Sequence, residues 1–309
     1  MRSKEKKLKF AIIGGAKTDN THDLFEEIRM HGHLPSIFSI KDIFFDSRSG
    51  ISATKKRLST FDIFLARSGH DKYQREIKML VRDLLNTQKT VVDDVLGKEY
   101  INGKMSQALL FSRHEIVHPI TFLASTFASY EKILKKMKFP IIIKPDIGKR
   151  GIGIKKVDNR KNALLFLQKN ERGFILQEYL PTDSDIRVFV VGNKVLGAMK
   201  RHIIKGDFRS NISLGAKAEK IKLNKAIKKV ALSATGAVGF EIAGVDLIWH
   251  NNKYYVLEVN EGPQWQGFKK TTGINPAKHI VTYAIEKYNI NQRERRPKTI
   301  IPQFRTKPR

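Results

Sequence analysis

Cysteine is absent from the 309 residues. That removes disulfide staples, thiolate nucleophiles and zinc–thiolate centres together, and it fits a reducing cytoplasm, the expected location. Long apolar runs are also missing, since none approaches the ~18 residues that would suggest a membrane span. The basic start Met1-Arg2-Ser3-Lys4-Glu5-Lys6-Lys7 gives way to a short strand-like stretch, Leu8 to Ile13, too soon broken for a signal peptide. Acidic residues are scarce: 30 Asp+Glu stand against 58 Lys+Arg, for a net charge of +28. Such an excess suits a polyanionic partner such as nucleic acid, a nucleotide or an acidic tail. The positive charge is spread along the chain, however, with local clusters at its ends, and this favours a generally basic surface. A hydrophobic fraction of 41% with 28% charged residues excludes a disordered chain and allows one large or two to three modest lobes.

Phe10 to Ile13 reads as a buried strand, followed by Gly14-Gly15 and a helix opened by Thr18-Asp19-Asn20-Thr21 and faced by Leu24, Phe25 and Ile28. Ile37 to Ile40 and Phe61 to Ala66 supply further strands, so a small parallel-sheet lobe is expected to end near Val91-Val92-Asp93. Gly14-Gly15 lacks the G-x-G-x-x-G spacing of a dinucleotide fold. Helical stretches are expected from Asn102 to His114, Ser129 to Met137 and Lys225 to Ala234. Strands are expected at Ile141 to Lys144, Gly153 to Val157, Phe174 to Tyr179 and Ile186 to Val191, the last turning at Gly192-Asn193. Ala243 to Trp249 and Tyr254 to Val259 form a hairpin. The tail from Asn291 is polar and basic and is expected to be loosely ordered.

Asp246 interrupts the apolar run Val245, Leu247, Ile248, Trp249, while Glu258 and Asn260 close the run Val256, Leu257, Val259. A carboxylate buried in a strand is costly unless it is paired or bound to a cation. Glu258 and Asn260, two apart, project from one face of their strand. Singly, each acid reads as a surface salt bridge; together on adjacent strands they read as oxygen ligands for Mg²⁺. A two-residue turn at Asn251-Asn252 would pair Asp246 with Leu257, whereas a three-residue loop through Lys253 would pair it with Glu258. Shared ligation requires the second register.

Lys144-Pro145-Asp146-Ile147-Gly148-Lys149-Arg150-Gly151-Ile152-Gly153 can cradle phosphate: the glycines let backbone N–H groups converge and Lys144 neutralises charge at the base. It lacks the Walker A spacing and its following helix, and an ordinary glycine-bearing hairpin is the plain alternative. Asp185 and Arg187 share one strand face, and Arg201 and Arg209 add guanidinium groups suited to phosphate or carboxylate. His202 receives no role.

The chain resembles the ATP-grasp superfamily, and within it the RimK-type glutamate ligases. The resemblance rests on Ile143-Lys144-Pro145 with its glycine loop, Gln177-Glu178-Tyr179, Asp185-Ile186-Arg187, Gly206-Asp207-Phe208-Arg209-Ser210-Asn211, Gly244-Val245-Asp246, Leu257-Glu258-Val259-Asn260 and Gly267 to Ile274. It implies an α/β and α+β multi-lobe fold: a pre-ATP-grasp lobe with a small parallel sheet over 1–95, then a two-lobe ATP-grasp domain over 96–290 with a lid lobe near 117–180, then the tail 291–309. It implies that ATP is bound by Lys104, Lys144, Gly148, Lys149, Arg150, Gly151 and the segment Gln177, Glu178, Tyr179, Leu180, with Asp185 on the ribose. Asp246, Glu258 and Asn260 would hold Mg²⁺ or Mn²⁺. Arg187, Lys144 and Arg209 would serve phosphoryl transfer, and Arg201, Arg209 and Asn211 would line the acceptor pocket.

The reaction implied is phosphorylation of a carboxylate on a protein, peptide or small cofactor, then attack by the amine of glutamate or another amino acid. Such chemistry needs positioning and charge neutralisation rather than a protein nucleophile. The partners expected are ATP, the acceptor, an amino acid and a second copy of the chain, with no membrane and no required nucleic acid. The rival is a basic nucleic-acid-binding protein on a degenerate ATP-grasp fold; no basic stretch with interleaved aromatics supports it. One departure concerns Glu261 to Gly267, where relatives carry a small Ser-Pro-Gly turn. Trp265 in this loop is expected beside the incoming amine; packing into the core is the alternative.

Overall fold

The four residues Phe10-Ala11-Ile12-Ile13 are buried on both sides, the pattern of a strand inside a parallel sheet. In the computed structural model, which describes residues 6–14, 18–54, 56–67, 73–98, 103–148, 152–170, 173–203 and 217–295, they lie in strand β1 (Lys9–Gly14). Helix α1 (Asp19–Met30) follows, its Thr18 cap closing a reciprocal box with Thr21. It leads to β2 (Leu34–Ser39), after which β3 (Ile43–Asp46), β4 (Gly50–Ala53) and β5 (Lys56–Arg57) make a small antiparallel sheet. The chain returns through β6 (Ile63–Ala66), α2 (Gln74–Asn86) and β7 (Thr90–Val92), giving a parallel sheet of order β2-β1-β6-β7. Because strand side chains alternate, Phe10 and Ile12 meet Leu24 and Ile28 of α1, while Ala11 and Ile13 meet Ile77 and Leu80 of α2.

Helix α3 (Lys104–Arg113) opens the second half. Strands β8 (Thr121–Leu123), β9 (Ile141–Pro145), β10 (Lys155–Val157) and β11 (Phe174–Glu178), with helices α4 (Phe127–Leu134) and α5 (Arg160–Lys169), form a lobe ordered β10-β9-β11-β8. This lobe has its own interior, built from Tyr130, Leu134, Ile141, Ile143, Ala163, Leu167 and Leu176. The main sheet is antiparallel, ordered β14-β13-β12-β15-β16, from β12 (Ser184–Val191), β13 (Lys194–His202), β14 (Ala218–Ile221), β15 (Ile242–His250) and β16 (Lys253–Glu261). Helix α6 (Lys225–Val238) sits between β14 and β15 in sequence, and α7 (Gln266–Thr272) and α8 (Pro276–Glu294) close the described chain.

Two apolar clusters run from the parallel sheet into the main sheet. One joins Phe64 and Leu80 to Ala231, Val188 and Val245; the other joins Phe10 and Leu65 to Phe189, Trp265 and Ile280. The parallel-sheet region therefore shares its interior with the main sheet, whereas the β8–β11 lobe keeps a separate one. A polar lock lies between the clusters. Asp93 accepts from the backbone N–H groups of Glu241 at 2.7 Å and Ile242 at 3.0 Å, and Glu241 in turn accepts from Lys287 Nζ at 2.6 Å.

Helix α8 runs to Glu294, so the first residues of the expected loose tail, Asn291 to Glu294, are helical. Asn275 caps it with a 3.2 Å bond from Ala277 N, Pro276 starts it, and Ala277, Ile280, Val281 and Ala284 make its buried stripe. Arg295 caps this helix, and the tail from 296 on lies outside the described residues. No described helix is long and apolar enough to cross a membrane.

Candidate active site

Asp246 is the one carboxylate in the buried length of β15, and everything around it follows from strand register. Residues Asn251 and Asn252, at φ 46° and 58°, make a two-residue turn that pairs His250 with Lys253. Left-handed backbone at both positions is what the twist of a tight hairpin demands, and Asn tolerates it. The three-residue loop expected from sequence is therefore not formed. The pairing it was meant to produce arises differently: Leu247 opposes Val256 and Asp246 opposes Glu258, leaving Leu257 as the extra residue of a β-bulge. Without that bulge Glu258 would stand on the opposite face of the sheet.

On this face the charges interlock. Arg187 lies opposite Asp246 across β12 and β15; its Nη2 donates to Asp246 Oδ2 at 2.8 Å and its Nε to Oδ1. Arg201 donates to both oxygens of Asp185 at 2.6 Å, and its Nη2 also lies 3.0 Å from Asp246 Oδ1. Asn260 Nδ2 donates to Asp246 Oδ2 at 3.2 Å and to Gly244 O at 3.3 Å. Burial pushes the Asp246 carboxyl up, but the guanidinium groups of Arg187 and Arg201 outweigh it and hold it below its ordinary value. Arg187, expected on the transferred phosphoryl group, thus rests on the carboxylate of Asp246, itself expected to bind metal, and Asp185, expected on the ribose, rests on Arg201.

Lys144 faces this cluster from β9. Its side chain is buried, and among the described residues its ammonium has no hydrogen bond and no ion pair. Burial, helped by Lys104, lowers its pKa to about 8, while Glu258, Asp246 and Asp146 pull the other way. Two residues on, Asp146 holds the first turn of α3: its carbonyl accepts from Lys104 N at 3.1 Å and its carboxylate from Met105 N at 2.7 Å. Gly103, at φ 113°, lies under this contact, where a Cβ would come 2.5 Å from Asp146 Oδ2. Lys104 Nζ donates to Gly148 O at 3.0 Å, so both expected phosphate lysines sit at the base of the glycine loop. Lys149, Arg150 and Gly151, and also Arg209 and Asn211, lie outside the described residues.

The Gln177–Leu180 segment leaves β11 at the end paired with Ile141, whereas the glycine loop adjoins the Phe174 end. Gln177 Nε2 donates to Thr121 Oγ1 at 2.9 Å, Glu178 N to Ile120 O at 2.9 Å, Lys156 stands 4.4 Å above the Tyr179 ring, and Leu180 is buried. The donor set for a cation is two carboxylates and an amide. These hard oxygens suit Mg²⁺, and Asn260 keeps its Oδ1 available because its Nδ2 makes the bonds to Asp246 and Gly244. No three His, Cys, Asp or Glu side chains converge among the described residues, so a metal here depends on Asn260 as third donor.

Trp265 does not line this site. It is fully buried, packed edge-on against Phe189, with its Nε1 donating to Asp23 Oδ2 at 3.0 Å and the Arg67 guanidinium 4.9 Å over its ring. The expectation that it faces the amine is corrected: a core made by β12, α7 and α8 claims the indole, and α1 supplies the partner its N–H requires. Around it, Asn20 donates to Gln264 at 2.7 Å and Arg67 to Pro263 O at 3.0 Å, so the loop after Asn260 is held from the N-terminal sheet. Asp23, Arg67 and Gln107 received no role from sequence, where each is an unremarkable polar residue, while Asn20 and Asp146 figured there only as members of the helix start and of the glycine loop.

A five-stranded antiparallel sheet facing a smaller four-stranded lobe across a lysine and a metal-type triad defines the ATP-grasp class of fold. Solved structures agree: the ATP-grasp ligase PsnB in complex with a precursor variant, Mg and ADP superposes with a TM-score of 0.71 at 18% identity, covering 90% of this chain and 98% of that one. D-alanine–D-alanine ligase from Bacillus anthracis, complexed with ATP, gives 0.65 at 15% identity over 93% and 99%. The model of the RimK-like ATP-grasp domain matches residues 101–284, more than half of the chain, and the chain belongs to that family. A Shewanella oneidensis protein named "Probable alpha-L-glutamate ligase 1" is 38% identical over 203 residues, 63% of this chain and 66% of that protein.

Proposed function

We propose that the chain is an ATP-dependent carboxylate–amine ligase. The observation that carries this reading is the bulged register of β15 and β16, which sets Glu258 opposite Asp246 and beside Asn260, facing a buried lysine that has no bonded partner among the described residues. The substrate carboxylate attacks the terminal phosphorus of ATP, the bond to the ADP oxygen breaks, and an acyl phosphate results. The amine nitrogen then attacks the acyl carbon, inorganic phosphate leaves, and the amine loses a proton to solvent.

Lys144 and Lys104 bind and orient the phosphates, neutralising charge that spreads during transfer. Arg187 and Arg201 hold Asp246 ionised and aimed, and their guanidinium groups are of the kind that binds phosphate and carboxylate oxygens. Asp246, Glu258 and Asn260 would hold Mg²⁺, which would supply further charge neutralisation during transfer. The acceptor is a protein, peptide or cofactor carboxylate and the amine is glutamate or another amino acid, a reading supported by the relatives named as glutamate ligases.

The test is ADP formation against a panel of acceptors and amino acids, with hydroxylamine replacing the amine in a parallel series. ADP release should require an acceptor, and hydroxamate should form at the acceptor carboxyl. ADP release that no carboxylate stimulates, with no hydroxamate, would sink the reading.

A further inference from the structure

Strand β16 is the open edge of the main sheet, so every second backbone pair along it faces away from β15 and needs a partner. Two outside groups meet that need, one on each side of the bulge. Val256 N donates to Val117 O at 2.9 Å. Farther along, the side-chain amide of Gln107 does the work of a neighbouring strand: Val259 N donates to its Oε1 at 2.8 Å, and its Nε2 donates to Val259 O at 2.9 Å. Val259 is the residue between Glu258 and Asn260.

The position matters because the bulge is what makes the site. A bulge leaves one residue unpaired and can relax by slipping back one place, which would turn Glu258 to the other face. Gln107 fixes both backbone groups of the residue immediately beyond Glu258, on the side that β15 does not reach. It also projects from the first turn of α3, which is bonded to the glycine loop through Lys104 N to Asp146 O at 3.1 Å and Lys104 Nζ to Gly148 O at 3.0 Å. One helix therefore grips the phosphate loop with Lys104 and the metal strand with Gln107, three residues apart and so on neighbouring positions of the helix surface.

We propose that Gln107 is a positioning residue: it holds the bulged register of β16 so that Glu258 and Asn260 converge with Asp246, and it ties that register to the glycine loop. It touches neither substrate nor metal. This rests on the metal assignment made above, and the two can fail separately.

Mn²⁺ binding in the presence of ADP, read by electron paramagnetic resonance without turnover, is the measurement, with ADP binding in EDTA and thermal melting alongside. Wild type should bind Mn²⁺, and Glu258→Gln should weaken it severely; absence of Mn²⁺ binding by wild type, or wild-type affinity in Glu258→Gln, overturns the metal assignment itself. Gln107→Met keeps the volume and loses both bonds, and it should weaken Mn²⁺ binding about tenfold, while metal-free ADP affinity stays within about twofold. Gln107→Glu keeps the acceptor and loses the donor, so it should fall between wild type and Gln107→Met. If wild type binds Mn²⁺ and Gln107→Met binds it equally well, whatever its melting temperature, Gln107 is a structural edge cap only and the proposal is wrong. Should Gln107→Met fail to fold, Gln107→Glu decides by the same criterion.

Discussion

The main sheet and the β8–β11 lobe both bury charge at their junction, and they treat it in opposite ways. On the sheet, Asp185, Asp246, Arg187 and Arg201 satisfy one another through short bonds across the neighbouring strands β13, β12 and β15. On the lobe, Lys144 is as deeply buried and has no bonded partner among the described residues, so burial drives its pKa down to about 8. The sheet is arranged to be stable before anything binds. The lobe carries an unmet demand for negative charge, which phosphate oxygens would meet. Removing a charge should therefore have different consequences for stability on the two sides, even where the loss of activity is similar.

The largest effect is expected on the sheet. Asp246→Asn should cut turnover by about a thousandfold or more, since a hard cation loses a charged ligand at almost constant volume. It should also lower stability by ~2–4 kcal/mol, because two buried guanidinium groups lose a shared carboxylate. Glu258→Gln, whose carboxylate is bonded to neither arginine, should reduce turnover comparably while leaving the melting temperature nearly unchanged. Steady-state ADP release and thermal unfolding, measured on both variants, check this. Equal stability losses in the two would break the contrast between a carboxylate bonded to the arginines and one that is not.

Lys144→Met tests the other side. It should raise the KM for ATP by about tenfold to a hundredfold, yet leave stability equal or slightly higher, because a buried cation with no bonded partner among the described residues is replaced by an apolar side chain of similar length. Isothermal titration with ADP and a melting curve give both numbers. A marked loss of stability would show that Lys144 is satisfied in the free protein after all.

These contrasts indicate what a sequence can and cannot carry. Single carboxylates set in apolar runs, such as Asp246 and Glu258, stand out because burial makes them costly, and the spacing of Glu258 and Asn260 gives their common face. The bulge at Leu257 does not stand out. It depends on what pins the strand from outside, and the pin Gln107 lies about 150 residues away in sequence. Arg187 and Asp246 are legible singly, but their bond depends on β12 lying next to β15, a matter of sheet order that no local pattern encodes. Trp265 misled for the opposite reason: closeness in sequence to Asn260 suggested closeness to the site, while the indole is claimed by Phe189 and by Asp23 of α1. Helix α8 was hidden by its polar second half, though its cap and first apolar stripe follow ordinary rules.

Asp93 is a third way of burying a charge, and it gives the smallest and most selective prediction. It is neither paired like Asp246 nor held as a cation like Lys144. Burial, with Glu241 beside it, pushes its carboxyl up from 3.8 to about 7, against the opposing pull of two backbone N–H groups and of Arg67. The folded chain therefore keeps a proton on Asp93 across a range in which the unfolded chain has lost it. Between pH ~4 and ~7 the native state binds more protons than the unfolded state, so this group makes stability fall as pH rises, and its contribution levels off above pH ~7. The slope it adds is at most about 1.4 kcal/mol per pH unit. Asp93→Asn mimics the protonated side chain: its carbonyl oxygen can still accept from Glu241 N and Ile242 N, and nothing is left to titrate. Chemical denaturation at pH 5, 6, 7 and 8 should show the wild type losing ~1–3 kcal/mol relative to the variant between pH 5 and 7, with little further divergence at pH 8. Using the difference between the two proteins cancels the other groups that titrate in this range. Parallel stability curves for wild type and Asp93→Asn would mean that Asp93 is ionised throughout, held by its backbone donors much as Asp246 is held by its arginines.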